Sequence, residues 1–237
     1  PFEPLLTGFE FVKFNDTEDL ERHFSDDVSA VILEVIQGEG GIRPISEEFY
    51  RRARTLTGEA GTVLICDEVQ SGLGRTGRWF AHHKFAEPGE RDALPDLVSL
   101  AKPLGGGLPL GAILIKEELA EAIRPGLHGS TFGGGPLACR LGLEMLRVFE
   151  DEHILEHVRE VGVYFRQQLG ELTDLAVVDG VRGEGLMLAV QLTVPAKDLV
   201  KQLLDAGFIT GATAGTVLRL LPPLIIHKKQ IDKFVKA

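Results

Sequence analysis

Three short stretches of the sequence contain residues that could do chemistry together. In the first, Asp67 and Glu68 directly follow an apolar run and precede Val69 and Gln70. Open α/β sheets bind their ligands at the carboxyl ends of their strands. Asp67 and Glu68 are therefore candidates for a binding edge. Acidic residues also end strands and face water, and for this stretch alone that interpretation is the commoner one.

The second stretch places a single lysine, Lys102, between an apolar run and three glycines, Gly105 to Gly107. A lysine at the floor of a cleft loses part of its hydration, which favours the neutral and nucleophilic amine. Glycines let the backbone approach a ligand closely. A nucleotide-binding P-loop is excluded, because its lysine follows the glycines and precedes Ser or Thr. A surface lysine beside a flexible loop fits the stretch equally well.

The third stretch embeds two hydroxyls, Ser130 and Thr131, among glycines just before Pro136. Proline is typical of the first turn of a helix, and the backbone amides and hydroxyls at such a point can bind an anion. An ordinary turn contains the same residue types. The stretch by itself is a weak signal for a phosphate site.

Composition limits the classes of protein that these motifs could belong to. The 237 residues are 44% hydrophobic and 25% charged, which is typical of a soluble globular chain. No apolar run approaches the roughly 18 residues of a membrane span. The net charge of −10 argues against nucleic acid and anionic membranes as partners. Two cysteines, Cys66 and Cys139, form neither a disulfide framework nor a zinc motif, so we expect no metal site and a cytoplasmic location.

The apolar pattern predicts the elements that must position the three stretches. A helix opened by Ser46 over residues 46–57 is predicted between the first two of four buried strands, which gives a βαβ unit. Continuous apolarity predicts strands covered on both faces, in a mostly parallel sheet. The four predicted strands are residues 30–36, 62–69, 97–101 and 110–116.

The chain changes character after Pro136. Helical spacing over residues 137–169, with a break at 151–153, predicts a long connecting helix. Beyond it we predict a smaller α+β domain, with the boundary near residue 145 and domains of 1–145 and 146–237. Its predicted elements are a β region at 176–192, a helix at 196–206, strands at 208–210 and 217–221, and a helix from about residue 228.

Taken together, the motifs resemble the class III pyridoxal-phosphate aminotransferases, an α/β family of fold-type I. Residues 34–41, Glu-Val-Ile-Gln-Gly-Glu-Gly-Gly, are similar to that family's E-P-x-Q-G-E-x-G segment. Residues 67–77 are similar to its D-E-V-Q-x-G-x-G-R-T-G segment. Order and spacing agree over essentially the whole chain. The segments around Thr131 and Arg219 are most similar to the acetylornithine aminotransferase branch.

The resemblance implies a pyridoxal 5'-phosphate site built from the first two stretches. Asp67 would bind the protonated pyridine nitrogen, so that the ring can accept electrons from a substrate carbanion. Val69 would pack against the ring and Gln70 would bond near its phenolic oxygen, with Glu68 also in the cofactor site. Lys102 would hold the cofactor covalently through its amine and transfer protons during the reaction.

The third stretch and two further residues would complete the site. Thr131 would bind the cofactor phosphate from the neighbouring subunit, which implies a homodimer with shared sites. Ser130 would lie next to the substrate. Arg219 would bind a substrate carboxylate, because a guanidinium can donate two parallel hydrogen bonds. Glu39 would pair with Arg219 when the incoming amino group is on a side chain. An ordinary structural ion pair between these two residues is the less favoured alternative.

The resemblance implies amino transfer from N-acetylornithine to 2-oxoglutarate, in arginine biosynthesis. Ornithine, succinylornithine and 4-aminobutyrate are alternative donors. Racemisation or epimerisation on the same scaffold would also fit the motifs, as would a truncated homologue without catalytic activity. Nothing in the chain matches the family's N-terminal region, so it resembles roughly the C-terminal three-fifths of a full enzyme. We therefore expect little activity and weakened cofactor binding from this chain alone.

The histidines are not assigned to this site. None shows the spacing of metal ligands, apart from one adjacent pair. We expect all four of the histidines considered to lie on the surface or in loops: His82, His83, His128 and His227.

Overall fold

The computed structural model describes residues 3–127 and 129–237, whose strands form three sheets. The strands are β1 Ala30–Glu34, β2 Ile36–Gln37, β3 Arg43–Pro44, β4 Val63–Asp67, β5 Leu97–Leu100, β6 Ala112–Ile115, β7 Val178–Glu184, β8 Met187–Leu192, β9 Gly211–Thr213 and β10 Val217–Leu220. The first sheet has the order β1-β4-β5-β6, the second β7-β8-β10-β9, and β2 pairs with β3.

The α-helices of the described chain connect these strands or cover them. The helices are α1 Thr17–His23, α2 Glu47–Ala60, α3 Glu117–Ala120, α4 Pro136–Asp151, α5 Ile154–Gly170, α6 Ala196–Asp205 and α7 Lys228–Val235. None of the described helices is long and apolar enough to cross a bilayer.

The first sheet matches the predicted βαβ arrangement. Strands β1, β4 and β5 are parallel, and β6 runs antiparallel to β5. Helix α2 connects β1 with β4, and its N-cap is Ser46, whose side chain accepts a hydrogen bond from the Phe49 amide. Gly61 ends the helix in the left-handed conformation, which glycine adopts without steric cost. The buried residues Phe49, Tyr50 and Ala53 of α2 belong to the same core as Leu64 and Cys66 of β4.

The prediction that both faces of this sheet are covered is wrong for the described chain. Ile32 of β1 is 60% exposed and Ile113 of β6 is 64% exposed. The apolar runs did identify strands, but a run of apolar residues cannot show whether the chain itself supplies a second covering layer.

The second sheet is antiparallel and packs mainly against α5, α6 and α7. The break predicted at 151–153 is confirmed: the helical segment consists of two helices, α4 and α5, which meet at His153, where φ is +51°. The strand predicted at 208–210 is wrong, because β9 begins at Gly211. The predicted domain boundary near residue 145 lies within α4 and stays a prediction.

Candidate active site

The carboxyl ends of three parallel strands meet in register at one edge of the first sheet. Glu34 at the end of β1 pairs with Asp67 at the end of β4, and Asp67 pairs with Ser99 of β5. Lys102 begins a 3-10 turn one residue after the end of β5. Residues from two separate sequence motifs therefore lie at the same edge, where α/β sheets bind ligands.

The Asp67 carboxylate is fixed through one of its oxygens. Its Oδ1 accepts hydrogen bonds from Ser99 Oγ at 2.9 Å and from the Val69 amide at 3.0 Å. No hydrogen bond to Oδ2 occurs within residues 3–127 and 129–237, and the residue is only partly buried. An oriented carboxylate with one open oxygen suits a protonated ring nitrogen, so this geometry fits the implied cofactor.

Glu68 faces the protein interior and is only 1% exposed. Its Oε2 accepts from the Ala81 amide at 2.6 Å, and its Oε1 accepts from the His82 amide at 2.8 Å. His82 Nδ1 also lies 2.7 Å from Oε1. This arrangement does not support the predicted contact of Glu68 with the cofactor. We infer that its carboxylate holds together the loop between residues 68 and 82, here called the junction loop.

The expectation that His82 lies on the surface or in a loop is wrong, because it belongs to a 3-10 turn and its side chain is buried with Glu68. Sequence spacing gave no signal for this contact, since 14 residues separate the two partners. Of the other histidines with the same expectation, His128 lies outside the described residues. His83 is exposed, as expected, and partial desolvation together with the neighbouring His82 lowers its pKa.

The junction loop also contacts the C-terminal region. Arg75 Nη1 donates to the Pro222 carbonyl at 2.6 Å and to the Leu186 carbonyl at 3.3 Å. Burial lowers the pKa of Arg75 to about 10. Arg159 Nη1 donates to the Gly77 carbonyl at 2.9 Å. The loop that starts at Asp67 is thus anchored at its tip by the C-terminal region. Sequence reasoning matched Arg75 to the family motif but gave it no role.

Lys102 has an unusual backbone conformation for a residue with a side chain. Its φ is +46°, in the left-handed region that favours glycine. Strained backbone of this kind is concentrated at functional sites. The side chain is exposed and lies close enough to Glu34 and Glu39 for its positive charge to favour the ionised form of both. Burial is the larger influence on Glu34 and raises its pKa.

Gln70 packs directly against Gly38. A methyl group added at Gly38 would come within 2.4 Å of the amide end of the Gln70 side chain, so Gln70 would have to move to admit it. The Gly38 amide donates to Glu34 Oε2 at 2.9 Å. These contacts bring the motif at residues 34–41 against the end of β4.

The structure joins Arg219 and Glu39, which are 180 residues apart in the chain. Arg219 Nη1 donates to Glu39 Oε1, and the Arg219 side chain is 22% exposed against 73% for Glu39. The hydrogen bond from Arg219 is the main reason that the pKa of Glu39 lies below its ordinary value. Because Glu39 is largely exposed, the pair can open with little loss of stability.

Ser130 and Thr131 share no hydrogen bond with this cluster among the described residues. Both are exposed on the segment that leads from α3 to α4. In the portion of the chain that the structure describes, no hydrogen bond joins either hydroxyl to Asp67 or Lys102. Their predicted roles in phosphate and substrate binding are therefore not explained by contacts within one chain.

Comparison with known proteins identifies the family. Residues 4–237 match the model of the class-III aminotransferases. The chain is 47% identical over 236 residues to an acetylornithine aminotransferase of Aquifex aeolicus, covering 100% of this chain and 60% of the relative. It is 43% identical to one from Methanocaldococcus jannaschii, covering 100% of this chain and 58% of the relative. The chain thus spans about three-fifths of the length of these curated relatives.

Solved structures agree with the sequence matches. An ornithine aminotransferase of Toxoplasma gondii superposes with a TM-score of 0.90 at 33% identity, over 98% of this chain and 56% of that one. The acetylornithine aminotransferase of Elizabethkingia anophelis gives a TM-score of 0.86 at 34% identity, over 94% of this chain and 57% of that one. The predicted fold-type I α/β architecture is confirmed, and the chain belongs to the class-III aminotransferases.

Proposed function

We propose that the protein transfers an amino group from N-acetylornithine, or a related ω-amino donor, to 2-oxoglutarate with the help of pyridoxal 5'-phosphate. The observation that carries the proposal is the in-register sheet edge that brings Asp67 and Lys102 together. The names of the two curated relatives support N-acetylornithine as donor.

Two residues of the sheet edge would handle the cofactor. When bound, pyridoxal phosphate supplies an electron sink for a substrate carbanion. Asp67, already oriented by Ser99 and Val69, would accept a hydrogen bond from the ring nitrogen through Oδ2. Lys102 would hold the cofactor through Nζ and, once released by the substrate, its amine would move a proton from the donor carbon to C4′ of the cofactor.

The Arg219–Glu39 pair would adapt the site to two different substrates. Arg219 free of Glu39 offers a guanidinium to a carboxylate of 2-oxoglutarate. With the pair closed, Glu39 neutralises Arg219 while the amino donor is bound. The exposure of Glu39 supports this role, because a fully buried pair would be costly to open.

Thr131 and Ser130 would act in a neighbouring subunit of a homodimer. Their exposure in the single chain and their lack of a bond to Asp67 or Lys102 among the described residues support this placement. Thr131 would then bind the cofactor phosphate across the interface. This part of the proposal predicts that complete sites form only in the dimer.

A titration of the chain with pyridoxal phosphate tests the proposal. We expect a visible absorbance band that depends on Lys102, even if turnover is low. Lys102→Ala should abolish the band, whereas Lys229→Ala, which removes an exposed lysine of α7, should keep it. A band that persists in Lys102→Ala would contradict the proposal.

The same spectral signal can distinguish the donors. N-acetylornithine, ornithine, succinylornithine and 4-aminobutyrate are added separately, and conversion of the cofactor to its amino form is followed. We expect N-acetylornithine to act at the lowest concentration. Equal or better response to 4-aminobutyrate would reassign the donor, and a response to none of them would favour a truncated homologue without catalytic activity.

A further inference from the structure

A second cleft lies between the segment from Gly40 to β3 and the strands β7, β8 and β10. Its volume is about 410 Å³, within the range of about 300–1,000 Å³ that is typical of small-molecule sites. Neither Lys102 nor Asp67 lines it, so it is separate from the cofactor edge. Residues of its wall include Phe14, Gly40, Arg43, Arg182, Gln191 and Val217.

Arg182 is held rigidly in the wall of this cleft. Its Nε donates to the Gly41 carbonyl at 2.8 Å and to the Ile42 carbonyl at 3.2 Å, and Nη1 donates to Gln191 Oε1 at 3.0 Å. These acceptors are all neutral. Nη2 makes no hydrogen bond within residues 3–127 and 129–237. The guanidinium is therefore oriented by the fold, and no carboxylate of the described residues pairs with it.

Arg43 supplies a second cation to the same cleft. Its guanidinium carbon lies 3.8 Å from the centre of the Phe14 ring, which orients the group by a cation–π contact and leaves its N–H edge available. Across the described residues neither Arg43 nor Arg182 forms an ion pair with a carboxylate. Arg54, by contrast, is paired with Asp96 at 2.8 Å.

The two guanidiniums are close enough to repel each other. Burial lowers the pKa of Arg182, and the neighbouring charge of Arg43 lowers it further, against a smaller opposite effect of Asp179. Two like charges held in one cleft are destabilising unless an anion binds between them. In a chain with a net charge of −10, the positive potential must be local to the cleft.

We propose that this cleft binds a small anion that carries carboxylate or phosphate groups. The two guanidiniums donate charge-assisted hydrogen bonds to it, and the Phe14 ring and Val217 provide apolar contact. Gly40 lines the cleft next to Glu39, and Thr213 Oγ1 donates to the Glu39 carbonyl. An anion bound here would therefore contact the loop that carries Glu39. The proposal does not depend on the cofactor.

Titration of the 237-residue chain with inorganic phosphate and, separately, with succinate tests the proposal at low ionic strength, with heteronuclear NMR as readout. We expect saturable shifts at the amides of Phe14, Gly40 and Ala214 with at least one of the two anions. The two titrations distinguish a phosphate ligand from a dicarboxylate. Arg43→Gln should weaken binding about tenfold, because it removes one of the two charge-assisted donors.

A matched control separates the site from general charge effects. Arg52→Gln makes the same change in net charge at an arginine that pairs with Glu21 on α1, and it should leave binding unchanged. Arg182→Lys keeps the positive charge but removes the planar guanidinium. It should therefore weaken anion binding even though Arg43 is still present. Equal affinity in Arg43→Gln and Arg52→Gln, or the absence of saturable shifts with both anions, would overturn the proposal.

Discussion

The junction loop at residues 68–82 and the glycine-rich loop at residues 129–135 belong to the same family motif set but differ in how they are held. The first is closed at its base by Glu68 and His82 and is anchored at its tip by Arg75 and Arg159. In the second, Ser130, Thr131 and Phe132 are exposed, with Phe132 at 91%.

This difference shows which part of the candidate site the chain organises by itself. The junction loop satisfies its buried polar groups at Glu68 and His82 within the chain, so the carboxylate of Asp67 is oriented before any ligand binds. The glycine-rich loop exposes the groups that it would use. We infer that its conformation depends on a surface outside this chain, as the proposed dimer would provide.

Glu68→Ala should have the largest effect. It leaves two buried amides and the His82 side chain without their acceptor, and loss of one partner from a buried charged network destabilises by about 3–5 kcal/mol. Urea unfolding measures the change in the free energy of unfolding. Glu68→Gln keeps one acceptor and should lose less. A loss below about 1 kcal/mol in Glu68→Ala would show that the loop does not depend on this carboxylate.

Gly185→Ala should be the next most damaging. Gly185 has φ of +55°, and an added methyl group would come 2.7 Å from the Arg75 carbonyl and from Thr76. We expect a loss of at least about 2 kcal/mol. Gly134→Ala is the matched control in the other loop, because Gly134 has φ of +69° but nothing within 4 Å of an added methyl group. Equal losses of unfolding free energy in the two variants would show that the close contact of Gly185 with the loop tip does not contribute to stability.

If the backbone at Lys102 is strained, glycine should be more stable than alanine at this position, the reverse of the order expected within a helix. Because φ at Lys102 is +46°, Lys102→Gly should be more stable than Lys102→Ala by about 1–2 kcal/mol. At Lys229, within α7, the order should be the opposite by about 1 kcal/mol. Thermal unfolding of the four variants measures both differences. The same order at both positions would show that Lys102 is not strained.

The Arg219–Glu39 pair should have a small effect that depends on pH. The pKa of Glu39 is lowered in the folded chain, so the pair stabilises above the ordinary carboxyl pKa and this contribution is lost as the pH falls through the lowered value. Exposure limits it to below about 1 kcal/mol. In Arg219→Gln, NMR titration should show the pKa of Glu39 rising towards its ordinary value.

Glu34 provides an internal reference for that titration. Burial raises its pKa, and Arg219 is not among the groups that influence it. Because the pKa of Glu34 is raised by folding, its contribution to stability is lost as the pH rises through the folded value. For Glu39 the contribution is lost as the pH falls. Arg219→Gln should leave the Glu34 titration unchanged. A shift of both carboxyls would indicate that the variant alters the loop as a whole.

Thr131→Ala should have the smallest effect on folding. The side chain is exposed, and surface substitutions of this kind change the free energy of unfolding by no more than about 0.5 kcal/mol. The same variant should weaken cofactor binding if Thr131 acts across a dimer interface. A loss of stability as large as that of Glu68→Ala would remove the contrast between the two loops.

The sequence by itself determined the family, the strands β1, β4 and β5 and the helix α2, because apolar runs, the Ser46 cap and the Gly61 stop act over short distances. It also paired Glu39 with Arg219, through resemblance to the family. It predicted a surface position for His82, a cofactor contact for Glu68 and a strand at residues 208–210, and none of these is supported by the structure.

Only the tertiary structure decided where the polar partners of the site lie. The contacts of Glu68 with His82 and of Arg75 with Pro222 span 14 and 147 residues, so no local pattern encodes them. The exposed face of the first sheet at Ile32 and Ile113 was also decided by the tertiary structure. The sequence shows that these residues are apolar, but it does not show whether another layer covers them. Residue types thus fixed the chemistry that is possible, and the long-range packing selected which groups are free to perform it.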